Sequence, residues 1–158
     1  MSHVTHIDHA RERHRVIERA PDGRISDEHI STSPDEFHEL GHELKRAIEG
    51  EVRFDNGSRA LYATDASNYR QVPIGVVIPR SVEDVVKTVN LCRAHQAPIV
   101  NRGGGTALAG QGCNVAVLID FSKYLNRVLS IDAVNKIGEV EPGCVLDTLR
   151  NAAERHKL

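Results

Sequence analysis

Residues 98–112 read PIVNRGGGTALAGQG, and the glycines after the arginine decide how the rest of the chain is read. Five of the chain's twelve glycines fall in residues 103–112. A short apolar strand runs to Asn101 and opens directly into them. Three consecutive glycines allow positive φ angles and a close approach of backbone to a ligand. Successive N–H groups in such a turn form a concave nest suited to an anion. The Thr106 hydroxyl and the Gln111 amide add donors, and Arg102 is the only full charge nearby. Many neutral donors with one cation suit a diphosphate bridge better than a triphosphate with magnesium. Taken alone, the loop leaves one alternative open, a tight turn joining two strands.

Two familiar nucleotide loops fail on this stretch. Gly105 and Gly110 have the spacing of a G-x-x-x-x-G-K-[ST] loop, but Gln111 and Gly112 stand where the lysine and hydroxyl residue belong. Without that lysine nothing clamps the terminal phosphates. Gly103 and Gly105 begin a G-x-G-x-x-G pattern, but Leu108 takes the third glycine's place and a strand, not a helix, follows.

Outward from the loop, strands and helices alternate. GVVIP (75–79) and VAVLID (115–120) read as fully apolar strands on either side of PIVNR. Such runs, separated by a helix, indicate parallel strands covered on both faces. The intervening helix starts at Ser81 and Asp84, carries Val82, Val85, Val86, Val89 and Cys92 on its expected buried face, and stops before Pro98. Upstream, Ser33, Pro34 and Glu36 spell a helix start, and Phe37, Leu40, Leu44, Ala47 and Ile48 form one stripe that ends at Gly50. Val52 to Phe54 is a short extended piece, and Asp55 to Pro73 reads as a long loop. Downstream, RVLSID and KIGEVEPG are extended, and VLDTLRNAAERH is a helix with Val145, Leu146, Leu149 and Ala153 on one side. Residues 1–32, with His3, His6, His9, His14 and His29, read as a flexible N-terminal extension.

Composition narrows the function. The 158 residues are 40% hydrophobic and 27% charged, as in a globular domain. The net charge of −2 argues against a nucleic-acid or anionic-membrane surface. Three Tyr, three Phe and no Trp make a base-stacking platform a poor reading. Cys92, Cys113 and Cys144 are odd in number and not at metal spacing, and MSHVTHIDH has no apolar core. Apolar runs are far too short for a membrane span. These features point to a cytoplasmic protein with reduced thiols.

One decoy needs weighing. HELGH (38–42) matches the H-E-x-x-H zinc hydrolase pattern. Lys45 and Ile48 occupy the positions that a metzincin extension needs, and Gly50 breaks the helix. His38 and His42 also lie about 100° off the buried stripe, where half-exposed surface residues belong.

Four segments in order, PIGVVIPRSVEDV, PIVNRGGGTALAGQG, VLIDFSKYLNRVLSID and VEPG, resemble the FAD-linked oxidase family, the p-cresol methylhydroxylase and vanillyl-alcohol oxidase type of flavin domain. The resemblance runs from about Val52 to the end. The nearest group is the 2-hydroxy-acid dehydrogenases of the D-lactate, glycolate and 2-hydroxyglutarate types. RFDNGSRALYATDASNYRQVPIGVVIP (53–79) is similar to the long members fused to an iron–sulfur domain. The resemblance implies an α/β (α+β) fold: the first lobe of a two-lobed FAD-binding domain, about 50–125, with a small parallel sheet flanked by helices, plus the start of a second lobe, about 126–158.

It also implies the site. Arg102, Gly103, Gly104, Gly105, Thr106, Ala107, Gly110 and Gln111 would wrap the FAD pyrophosphate. Glu141, Pro142 and Gly143 would lie near the flavin, and Pro79 at the cofactor edge. Asp65, Ala66 and Ser67 are a further candidate for the flavin or substrate side. Thr106 stands where members with covalent flavin often carry histidine, which implies FAD held without a bond to the protein. The family's Pro-Asp-Pro turn, its Gly-Gly segment and its substrate domain are not in this sequence. The chain is therefore expected to be an N-terminal fragment, inactive alone. The complete enzyme would take a small 2-hydroxy acid and an electron acceptor, with catalytic residues and any iron–sulfur cluster in the remaining part. The competing reading is a stand-alone FAD or diphosphate-binding module without catalysis.

Overall fold

Two apolar tetrads, GVVI and VLID, make the centre of the sheet, and every residue in both is buried. The computed structural model describes residues 37–158. In chain order its elements are α1 (His38–Ala47), β1 (Glu51–Arg53), α2 (Asn56–Leu61), β2 (Gly75–Ile78), α3 (Val82–Ala94), β3 (Ile99–Arg102), β4 (Val117–Asp120), β5 (Val128–Asp132), β6 (Ile137–Val140) and α4 (Leu146–Glu154). The main sheet has the order β1-β2-β4-β3. The β2, β4 and β3 strands run parallel, and β1 pairs antiparallel to β2, Val52 opposite Val77. The sheet is thus mixed, with the short extended piece of the sequence as its antiparallel edge. The other edge, β3, is only half-buried, so the expectation of cover on both faces holds for β2 and β4.

One face of the sheet packs on α1 and α3. Leu40, Leu44 and Ile48 meet Val77, Val117 and Cys92 there, with Phe37 at the head of the helix. Of the stripe expected from the sequence, Phe37, Leu40, Leu44 and Ile48 are buried and Ala47 is half-buried. The helix ends at Ala47, with Lys45 and Arg46 in its last turn, where cations complement the helix dipole. Ser33, Pro34 and Glu36 of the expected cap, and the N-terminal extension 1–32, lie outside the described residues. On the other face Val76, Ile78 and Leu118 are covered by Tyr62 and Tyr124. Full burial of a leucine or isoleucine contributes about 2 kcal/mol, so these two layers carry much of the stability.

The buried side of α3 differs from the one read off the valines. Val82, Val86 and Val89 are exposed, Val85 is half-buried against Ile119, Phe121 and Leu125, and the buried line is Asp84, Thr88 and Cys92. Ser81 caps the helix as expected, accepting from Asp84 N–H at 3.1 Å. Burying Asp84 is tolerated because its carboxylate accepts from Glu49 N–H at 3.0 Å and Arg80 N–H at 2.9 Å. The Thr88 hydroxyl donates to the Asp84 carbonyl at 2.7 Å. Satisfied polar groups thus displace three valines from the core side.

The expected long loop contains α2. Asp55 caps it by accepting from Ser58 N–H at 2.9 Å, and Arg59 anchors it by donating to the Pro73 carbonyl at 2.8 Å. Downstream, β5 and β6 form an antiparallel hairpin with α4 packed against it. The expected helix is present, but Val145 and Leu146 are exposed and no residue of α4 is buried.

Candidate functional site

Parallel strands need a crossover, usually a helix. Between β3 and β4 the crossover is the glycine loop itself, leaving Arg102 at the carboxyl end of β3 and returning to Val117. The carboxyl ends of parallel strands are where open α/β sheets bind ligands.

The loop is pinned from one side by the segment after α2. Arg102 turns its guanidinium back, donating to the Thr64 carbonyl at 2.7 Å and lying 5.4 Å from the centre of the Tyr62 ring. The one cation expected for the anion therefore holds the loop. Ala66 N–H donates to the Gly105 carbonyl at 3.0 Å. Asp65 accepts from Gly112 N–H at 3.1 Å and from Ser67 N–H at 2.9 Å. The Ser67 hydroxyl and N–H, with Gly112, hold the Asp65 carboxyl at about 2. The Tyr69 ring fills the space where Gly110 would carry a Cβ, with the nearest ring atom 2.8 Å from that position.

Within the glycine loop, positive φ is confined to Gly105 (68°) and Gly110 (81°). Gly103 and Gly104 do not use the left-handed region, contrary to the expectation of a three-glycine turn. Nor does packing exclude a side chain there. A Cβ on Gly103 would find only the Pro142 carbonyl, at 3.6 Å, and one on Gly104 only the Thr106 methyl, at 3.7 Å. Among the described residues no acceptor receives the N–H of Gly104, Gly105, Thr106 or Ala107. The protein fold gives no reason for glycine at 103 and 104. A ligand drawn against the backbone does, and unspent donors mark where it would bind.

The VEPG turn stands beside Gly103. Glu141 is buried, and its carboxylate accepts from Arg127 N–H at 2.7 Å and Arg127 Nη2 at 2.7 Å. Those Arg127 bonds hold its carboxyl below the usual range. Gly143 N–H donates to the Leu125 carbonyl at 2.8 Å. The turn therefore presents Pro142 to the loop, while Glu141 braces it from behind.

A family model described as FAD binding domain matches residues 73–158. The chain belongs to the FAD binding domain family. It is 35% identical over 108 residues to the glycolate oxidase subunit GlcD of Bacillus subtilis, spanning 65% of this chain and 23% of that protein. It is 32% identical over 112 residues to the D-2-hydroxyglutarate dehydrogenase of Pseudomonas putida, spanning 69% of this chain and 11% of that protein. The chain thus spans a quarter or less of these relatives' length. Among solved structures, 4-ethylphenol oxidase from Gulosibacter chungangensis superposes with a TM-score of 0.65 at 27% identity, over 81% of this chain and 26% of that one. A p-cresol methylhydroxylase superposes with a TM-score of 0.62 at 19% identity, over 81% of this chain and 26% of that one, which shows the fold.

The residues of this FAD binding domain fit the cofactor where it is most polar. The open backbone at Gly103–Gly104 and the unspent N–H groups that follow suit a pyrophosphate. The other candidates divide. Thr106 is exposed with its hydroxyl unengaged among the described residues, and Ala107 is half-buried. Gln111 spends its carbonyl on Ala109 N–H at 3.1 Å, leaving the amide nitrogen. Pro79 is fully buried at the end of β2 and offers no surface among the described residues.

Sequence reasoning missed the support behind the loop. Tyr62 donates to Asp120 Oδ2 at 2.8 Å, joining α2 to the end of β4. Burial, together with the Asp120 carboxylate, pushes the Tyr62 phenol up to about 12. Its folded pKa lies above the ordinary value near 10, so its stabilising contribution is complete below pH 10 and is lost as pH rises toward 12. Denaturant unfolding at pH 9 and pH 11.5 is expected to show a smaller loss of stability in Tyr62→Phe than in the wild type. An equal loss in both would show that Tyr62 is not the titrating group. His38 and His42 are exposed as expected, with ring centroids 4.5 Å apart. No helix among the described residues is long and apolar enough to cross a membrane.

Proposed function

We propose that this chain supplies the diphosphate-binding part of a flavin-dependent oxidoreductase that oxidises a 2-hydroxy acid. The observation that carries the reading is the room at Gly103, beside the VEPG turn, and at Gly104, which nothing among the described residues uses. The substrate class comes from the glycolate oxidase and D-2-hydroxyglutarate dehydrogenase relatives. FAD, when bound, would supply the redox chemistry, the uptake of a hydride from the carbon that bears the hydroxyl. This chain's part would be to hold the cofactor, with the N–H groups of Gly104 to Ala107 available to the pyrophosphate and Pro142 beside them. Thr106 stands where members with covalent flavin often carry histidine, which supports FAD held without a covalent bond. The β5–β6 hairpin and α4 open the second lobe, and the substrate and electron acceptor are met by residues outside this chain. The protein works in the cytoplasm. Any iron–sulfur centre also belongs elsewhere: Cys92 is buried with its thiol pushed up to about 11, and no three His, Cys, Asp or Glu side chains cluster among the described residues.

The test is to express the complete reading frame, measure flavin per chain, and add D-lactate, glycolate and D-2-hydroxyglutarate without oxygen. Bleaching of the flavin absorbance by one of these acids is the expected result. The 158-residue chain alone is expected to lose FAD on desalting. Flavin that stays bound in the complete protein but is bleached by none of the acids would favour a binding module without catalysis.

A further inference from the structure

The segment Thr64–Tyr69 is not a solvated turn beside the glycine loop but the surface on which that loop is laid. Contacts between them recur along the glycine loop from Arg102 to Gly112. Thr64 receives Arg102, Ala66 binds Gly105, Tyr69 packs on Gly110, and Asp65 binds Gly112. The segment is itself closed by a bridge between Thr64 and Arg70. Asp65 joins the turn to the loop through a single carboxylate. One carboxylate oxygen folds its own turn, accepting from Ser67 N–H at 2.9 Å and from the Ser67 hydroxyl at 2.5 Å. The other reaches across to Gly112 N–H at 3.1 Å. Both oxygens are therefore engaged by the protein. We propose that Asp65 is the positioning residue of the FAD loop, coupling the Thr64–Tyr69 turn to the far end of the loop and so fixing where the N–H groups of Gly104 to Ala107 stand. This rests on the FAD reading above and adds to it a residue that does not touch the cofactor.

The experiment uses protein from the complete reading frame, stripped of flavin. FAD affinity is measured by titration, the bound pyrophosphate by its 31P resonances, and the flavin-free fold by its unfolding midpoint. Loss of one charge-assisted hydrogen bond sets the scale at roughly 10-fold to 100-fold in FAD affinity. Asp65→Ala is expected to weaken FAD by that factor and to move the 31P resonances. Ser67→Ala, which leaves the Gly112 bond in place, is expected to stay within about 3-fold of wild type. Asparagine can turn its carbonyl to Gly112 N–H, but its amide then faces the Ser67 N–H donor to donor, so Asp65→Asn should recover the affinity only in part. If Asp65→Ala does not fold, Asp65→Asn carries the test through a partial affinity loss with shifted 31P resonances. Wild-type affinity and unshifted resonances in the Asp65 variants would overturn the proposal. So would equal losses in Asp65→Ala and Ser67→Ala that track a fall in the unfolding midpoint. A wild-type protein that binds no FAD would instead sink the FAD reading itself.

Discussion

Gly104→Asp is expected to abolish FAD binding while leaving the flavin-free fold intact. The two halves of that result come from separate observations. Residue 104 lies outside the left-handed region and a Cβ there meets only the Thr106 methyl at 3.7 Å, so a side chain is accommodated without strain. The position is exposed, and substitutions at such sites usually change stability by under about 0.5 kcal/mol. An aspartate against a pyrophosphate places like charges together, which costs several kcal/mol. A loss of about 3 kcal/mol already corresponds to roughly 100-fold in affinity. Titration of the flavin-stripped protein with FAD measures the first half, and its unfolding midpoint the second. Undiminished FAD affinity would mean that the pyrophosphate does not lie on this stretch of backbone. A large fall in the midpoint would mean that Gly104 serves the fold after all.

Gly143→Ala is expected to do the reverse. It should cost about 3 kcal/mol of folding stability, within the range for forcing atoms into a packed site. A Cβ at residue 143 would sit on the Phe121 carbonyl, 2.6 Å from its carbon, and 2.8 Å from the Leu125 carbonyl oxygen. Both neighbours are backbone, and Gly143 N–H is already bound to the Leu125 carbonyl at 2.8 Å. No flexible side chain can move aside. The VEPG turn would have to shift as a unit and break the Glu141–Arg127 pair that braces it. Denaturant midpoints of wild type, Gly143→Ala and Gly103→Ala make the comparison, with Gly103→Ala expected near wild type. A Gly143→Ala midpoint equal to that of wild type would show that the turn is looser than its contacts imply.

Gly104 and Gly143 both lie in glycine-bearing turns, yet sequence alone cannot sort them. RGGGT and VEPG are legible as glycine-bearing turns that follow extended segments, and many neutral donors beside one cation point to a diphosphate. Which glycine serves the ligand and which serves the fold depends on atoms brought together from distant segments. The same holds for Arg102. As the one charge beside a nest it reads as an anion ligand, and the structure adds that its guanidinium donates to the Thr64 carbonyl and lies by the Tyr62 ring. The α2 helix was itself hidden, because NGSRAL contains a turn-like Asn-Gly and is held by the Asp55 cap and the Arg59–Pro73 anchor rather than by propensity.

What the sequence by itself determined is the local part. Apolar tetrads bounded by turn residues specify β2 and β4, the spacing of Leu40 and Leu44 specifies the buried side of α1, and Ser81 specifies where α3 begins. These are readable because periodicity and capping act between residues a few positions apart. Only the tertiary structure decided which side of α3 is buried, since Asp84 goes inside only when Glu49 and Arg80 bring N–H groups to its carboxylate. It alone turned Thr64–Tyr69 from a polar loop into the bed of the glycine loop. A buried polar group or a shaped loop is stable only with partners far away in sequence, and no local pattern records them.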